Sequence, residues 1–188
     1  MKKLISLLML YVALAANAQF TLVPGKLVAD GDKAYYVVEM DGTQQELYNK
    51  AKGAITTLFR SAKDVISEVP SSQIKINAVS VDDVYQKKVG FKSAFTMEYS
   101  LNILFKDGRI RFDAPIVGRT WTTNGKGDIL QMYITEGGGG GMTDYGCVFK
   151  KNGDVRFKEA KQSIEDYFNT LVKAIINNMQ SAPVEEDW

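Results

Sequence analysis

Residues 91–109, FKSAFTMEYSLNILF followed by KDGR, decide the fold. Phe91, Ser93, Phe95, Met97, Tyr99, Leu101, Ile103 and Phe105 alternate with Lys92, Ala94, Thr96, Glu98, Ser100, Asn102 and Leu104. A β-strand points successive side chains to opposite faces, so this one covers a core on one face and meets water on the other. Asp107-Gly108 accepts the positive φ of a tight turn and closes a hairpin. The return strand puts Ile110, Phe112, Ala114 and Ile116 on the core face, with Arg109, Arg111, Asp113 and Pro115 opposite.

Upstream, Ala34–Met40 reads as a first strand, ended by Asp41-Gly42. Thr43 stands three residues before Glu46, the capping-box spacing that opens a helix. That helix, Gln44–Ala62, carries Leu47, Ala51, Ile55, Leu58 and Ala62 as one apolar stripe. Asp64–Val69 reads as a short strand ended by Pro70-Ser71-Ser72. Ile74–Val81 reads as a weaker strand near an edge, and Asp82-Asp83 as the turn after it. The lead-in, residues 19–33, holds turn signals at Pro24-Gly25 and Asp30-Gly31-Asp32, while Phe20, Leu22 and Val23 suit an edge strand.

Downstream, residues 121–157 read as a glycine-rich insertion with short strands. Asn124–Gly127 is a turn and Ile129–Thr135 a strand. Gly137–Gly141 is expected to be a mobile loop, because glycine packs nothing and loses much entropy on ordering. Cys147–Lys151 and Asp154–Phe157 suggest a small hairpin. The C-terminal helix, residues 158–181, has Ala160, Ile164, Phe168, Leu171, Ile175 and Met179 as its buried stripe; 182–188 form an acidic tail. These elements predict one α+β domain, residues 34–181, with a mainly antiparallel sheet and two long helices side by side on one face. Its core should hold Phe95, Tyr99, Leu101, Ile55, Leu58, Phe168 and Leu171.

The first 18 residues read as a secretory signal peptide. Lys2 and Lys3 precede an apolar run from Leu4 to Ala16, and Ala16-Asn17-Ala18 offers a small-residue cleavage site. The run is shorter than the ~20 residues of a membrane span. Cleavage before Gln19, export to the periplasm or medium, and no transmembrane segment in the processed chain are the expectations. The 188 residues carry a formal charge of +1, and the sign reverses without Lys2 and Lys3. That balance gives no electrostatic argument for nucleic acid. Histidine is absent, which excludes Ser-His and Cys-His catalysis and His-based metal sites. Cys147 is the sole cysteine, so no intramolecular disulfide forms.

The stretches Tyr36-Val37-Val38-Glu39, Gln45-Glu46-Leu47-Tyr48, Lys63-Asp64-Val65-Ile66 and Phe105-Lys106-Asp107-Gly108-Arg109-Ile110-Arg111, in that order, resemble an exported bacterial family of unknown function. Its domain is described as having a TATA-binding-protein-like (TBP-like) fold. The resemblance covers residues 34–120, and the leader ending Ala16-Asn17-Ala18-Gln19 fits the same family. It implies the order β-α-β-β-β-β, then a helix. The motifs are structural, so no active-site residue carries over, and a fold name does not imply DNA binding.

Chemistry-bearing residues are few. Cys147 lacks a histidine base and reads as a small buried or half-buried side chain. Asp82-Asp83, with Glu98 or Asp113, would be needed for paired-carboxylate hydrolysis or a calcium site, but adjacent acids on an extended chain point apart. Arg109, Arg111 and Lys92 read as a solvated sheet face with pairs such as Arg111–Glu98. The glycine run lacks the Lys-Ser or Lys-Thr of a phosphate loop. Trp121, Tyr133, Met142 and Tyr145, around the adaptable glycine run, are the candidate ligand or partner contacts. No cofactor or metal is implied. The sequence points to a non-enzymatic binding or assembly module of the bacterial cell envelope, holding an envelope protein or a small ligand. The alternative is a histidine-free enzyme using carboxylates, such as a hydrolase on an envelope or extracellular substrate.

Overall fold

The computed structural model describes residues 19–88, 90–141 and 144–181. The expected leader, the acidic tail and Met142 lie outside the described residues. The chain runs β1 (Phe20–Val23), β2 (Lys26–Ala29), β3 (Tyr35–Glu39), α1 (Gln44–Leu58), α2 (Ala62–Val65), β4 (Ile66–Val69), β5 (Gln73–Lys88), β6 (Phe91–Lys106), β7 (Arg109–Asp113), β8 (Ile116–Thr123), β9 (Ile129–Gly137), β10 (Asp144–Lys150) and α3 (Lys158–Ser181).

β6 organises an eight-stranded sheet. One of its edges pairs with β5 along nearly its whole length. The other takes β7 and then β8 end to end, with β3 outside β7 and β9 and β10 outside β8. Every pair is antiparallel except β9–β10. The Asp107-Gly108 turn also fastens the first helix: Asp107 Oδ1 accepts the Gln44 N–H at 2.7 Å. Thr43 forms the expected capping box, its N–H donating to Glu46 Oε2 at 2.7 Å.

α1 and α3 lie side by side on one face of the sheet. Leu47, Ala51 and Ile55 of α1 join Ile164, Phe168 and Val172 of α3 over Phe95, Met97, Leu101, Ile103 and Phe112, all fully buried. Tyr99 lies edge-on to Phe168, ring centroids 5.3 Å apart. Two expected core residues are less buried than expected, Leu58 lying outside the core and Leu171 packing against its margin. Leu58 is 38% exposed and Leu171 is half-buried. α1 ends at Leu58 rather than Ala62, because Phe59 is extended and the Thr56 and Thr57 hydroxyls have turned back to the Lys52 and Ala54 carbonyls. Asp64 and Val65 accordingly sit in α2, not in a strand.

Four further expectations are corrected. Asp82-Asp83 is not a turn between strands. β5 continues to Lys88, and Val81, Asp82 and Asp83 form a bulge between the Ser80–Met97 and Val84–Phe95 pairs. Asp82 takes the positive φ (63°) that few residues besides glycine tolerate. Ile116 is 68% exposed, not on the core face, because the register along β6 slips at Pro115, which has no N–H for the ladder. Phe91 is 79% exposed, at the far end of β6. Arg111 pairs with Asp113 at 2.7 Å and stacks over Tyr35, not with Glu98.

The lead-in is a buried hairpin. Phe20 and Leu22 of β1 and Leu27 of β2 are at most 3% exposed. The Phe20 N–H donates to Asn169 Oδ1 at 2.8 Å, Asn169 Nδ2 donates to the Phe20 carbonyl at 3.1 Å, and the Leu22 N–H donates to Glu165 at 2.7 Å. Lys161 neutralises Glu165. The glycine run is likewise ordered rather than loose. Gly139 bridges Gly146, and the Cys147 N–H donates to the Gly138 carbonyl at 3.1 Å. A Cβ on Gly140 would lie 2.2 Å from the Asp144 and Tyr145 carbonyl oxygens, so the chain folds back where side chains do not fit.

Candidate functional site

Two surfaces have the geometry to hold something else. The first is an open groove of about 500 Å³ where the end of α1 meets α3 and the bulge of β5. Leu58 and Phe59 form one wall, and Tyr167, Thr170, Leu171 and Ala174 the other; Asp83, Tyr85, Ser163 and Asp166 add polar groups. Early termination of α1 exposes Leu58, and the bulge turns Asp83 toward α3. Partial desolvation and the neighbouring Asp82 charge hold the Asp83 carboxyl above the usual aspartate range. Beneath the groove the Tyr167 hydroxyl donates to the Tyr99 hydroxyl at 2.8 Å. Burial raises both phenols, so they act as neutral hydrogen-bonding groups. The Ser163 hydroxyl is already committed: it accepts the Tyr85 N–H at 3.2 Å and donates to the Ala160 carbonyl at 3.1 Å. A nucleophilic hydroxyl needs an adjacent base, and Ser163 has none among the described residues.

The second surface is the sheet face opposite the helices. Arg119 stacks over Trp121 at 5.1 Å. Trp121 is half-buried and sits across from Thr96 on one side and Gln131 on the other. Tyr133, two residues on from Gln131, shares that face and is 38% exposed, its hydroxyl donating to Asp144 at 3.2 Å. Partial desolvation and Asp144 raise its phenol. Exposed Val79 and Ile129 extend the same face.

Of the sequence-predicted contacts, Trp121 and Tyr133 are thus brought together. Tyr145 is not with them: it points to the helix side, 6% exposed, packed edge-on to Phe95 at 4.7 Å and against Phe157 at 5.4 Å. Cys147 lies opposite Tyr133 in the parallel pair and its sulfur fills the space over Gly137, a packing role. Among the described residues no group of histidine, cysteine, aspartate or glutamate side chains is arranged to hold a metal ion. No described helix is long and apolar enough to cross a membrane. The groove escaped sequence reasoning because an Asp-Asp pair is the ordinary mark of a turn. A signal was present in Val84, Gln86 and the residues up to Lys88, which resume a strand pattern without any glycine or proline.

Comparison with known proteins addresses the fold. A solved TBP-like protein from Parabacteroides distasonis superposes with a TM-score of 0.52 over 79% of this chain and 92% of its own, at 12% identity. The fold is TBP-like. The β-α-β-β-β-β order implied by the resemblance across residues 34–120 is observed from β3 to β7, with the short α2 inserted before β4 and β8 beginning after β7. A DUF4468 family protein from Bacteroides ovatus gives a TM-score of 0.47 over 88% of this chain and 94% of its own, at 10% identity. No family model and no curated protein matches the chain.

Proposed function

We propose that the protein is exported and serves as a non-enzymatic binding module of the bacterial cell envelope, using the open face of its TBP-like sheet. The observation that carries this reading is the cluster of Arg119, Trp121 and Tyr133 on a face that nothing covers among the described residues. A rigid sheet presenting a stacked cation and two aromatic rings offers large contact area at small entropic cost. The basic-apolar-small order of residues 1–18 supports export. Catalysis by carboxylates is the weaker reading. It needs an acid and a base held apart in a site that excludes water, and the groove that holds Asp83 and Asp166 is open.

The test combines processing and recovery. Mass spectrometry of the native protein should find a chain beginning at Gln19; an intact Met1 terminus would reject export by this leader. The tagged processed protein should recover a partner from its envelope fraction. The W121A/Y133A variant should lose that partner without a change in melting temperature. Full recovery by the folded variant would reject this face as the site.

A further inference from the structure

The groove between α1 and α3 has features that the sheet-face reading leaves unused. We propose that it docks a short, extended, basic segment of a partner protein, with a lysine or arginine stem along Leu58, Phe59 and Leu171 and its cation at Asp83 and Asp166.

Charge argues first. Asp83 and Asp166 face the groove, and neither is in a salt bridge among the described residues. Asp166 takes the Gln162 amide at 2.9 Å and retains acceptor capacity. Partial desolvation, with the neighbouring Asp82 charge adding to it, raises the Asp83 carboxyl, so an incoming cation offsets a carboxylate that the fold holds at a cost. Next comes shape. The groove lining combines apolar and aromatic side chains with the Asp83 and Asp166 carboxylates, which suits side chains that carry a terminal charge on a long aliphatic stem. Backbone geometry points to an extended segment. β4 pairs with β5 only from Gln73 to Ile76. Beyond Ile76 no strand lies along the outer edge of β5 among the described residues; past the bulge, Ser163 accepts the Tyr85 N–H and the Gln86 amide donates to the Lys87 carbonyl, so the stretch open to a guest lies between Ile76 and Tyr85. A free strand edge hydrogen-bonds an extended peptide. The bulge at Val81–Asp83 breaks that edge into short pieces, which limits the guest to a few residues and disfavours edge-to-edge pairing of two copies.

Fluorescence anisotropy on the full chain tests this, with a labelled, capped peptide of alternating leucine and lysine as the probe. An otherwise identical leucine-glutamate peptide and lysine amide are the controls. The basic peptide should bind saturably, weaken with added salt, and weaken about tenfold in D83N/D166N, roughly 0.7 kcal/mol for each partly exposed charge pair. The acidic peptide should bind at least as weakly as that. L58K, which places a cation in the groove, should block binding, and it serves where D83N/D166N fails to melt cooperatively. No saturable binding at millimolar peptide, equal binding of the acidic peptide, or indifference to both variants would overturn the proposal. Lysine amide binding as tightly as the peptide would make this a small-amine site. Self-association abolished by D83N/D166N would assign the groove to a second copy. Either outcome also overturns the proposal. All of these readings are independent of Trp121 and Tyr133, so failure here leaves the sheet face standing.

Discussion

Replacing Asn169 by alanine isolates the bond between the two ends of the described chain. The Asn169 amide both accepts from the Phe20 N–H (2.8 Å) and donates to the Phe20 carbonyl (3.1 Å). Phe20 is fully buried and Asn169 is 8% exposed, so water cannot readily replace the lost partner. N169A leaves one buried donor and one buried acceptor unpaired. At about 1–3 kcal/mol for each such group, with some relaxation of the hairpin, the expected loss is about 3 kcal/mol. In a chain of this size each kcal/mol moves the melting temperature by about 2–4 °C, so the transition should fall by about 6–12 °C. N178A is the control, since Asn178 reaches Thr57 at 3.1 Å on the exposed surface and its loss should stay within about 0.5 kcal/mol. Thermal unfolding followed by circular dichroism gives both numbers. If N169A melts with wild type, or if N178A falls as far, the hairpin is not held as argued.

Three other outcomes follow from the same geometry. L101A, at a fully buried position, should lower stability by about 2–5 kcal/mol in urea, whereas L58A, already 38% exposed, should cost well under half of that. G140A should be severely destabilising, because its Cβ meets two carbonyl oxygens, while G141A, with open space around it, should melt close to wild type. Asp83 and Glu68 should behave oppositely with pH. The Asp83 carboxyl is raised in the fold, so its contribution is present in acid and lost as pH rises through the folded value; D83N should stabilise at about pH 7 and be neutral at about pH 3. Glu68 is lowered by hydrogen bonds from Tyr48 and Lys52, so its contribution is lost as pH falls through the folded value. E68Q should therefore destabilise at about pH 7 and little in acid, as read from urea midpoints at the two pH values.

The central hairpin was legible because its signals are local: period-two alternation, an Asp-Gly turn and a Thr-x-x-Glu cap all act within a few residues. What was illegible depends on distant or backbone-only partners. The buried lead-in takes its definition from Asn169 and Glu165, at the other end of the sequence. The fold-back of Gly139 and Gly140 onto β10, just after β9, needs glycines that let two backbones touch, and composition alone reads glycine as freedom. Of the candidate contacts, Trp121 and Tyr133 were singled out as aromatic rings around the glycine run, and the strand register puts them on one open face. Tyr145 was not placed, because the register shift between Asp144 and Gly146 turns it toward the helices.

The latch of Phe20 to Asn169 also orders events in time. A chain is made from its amino end, yet the first described strand cannot seat until the last helix exists to receive it. Until residues 161–169 emerge, β1 has no acceptor for its amides and stays open to water or to a chaperone. Final closure is therefore post-translational by construction.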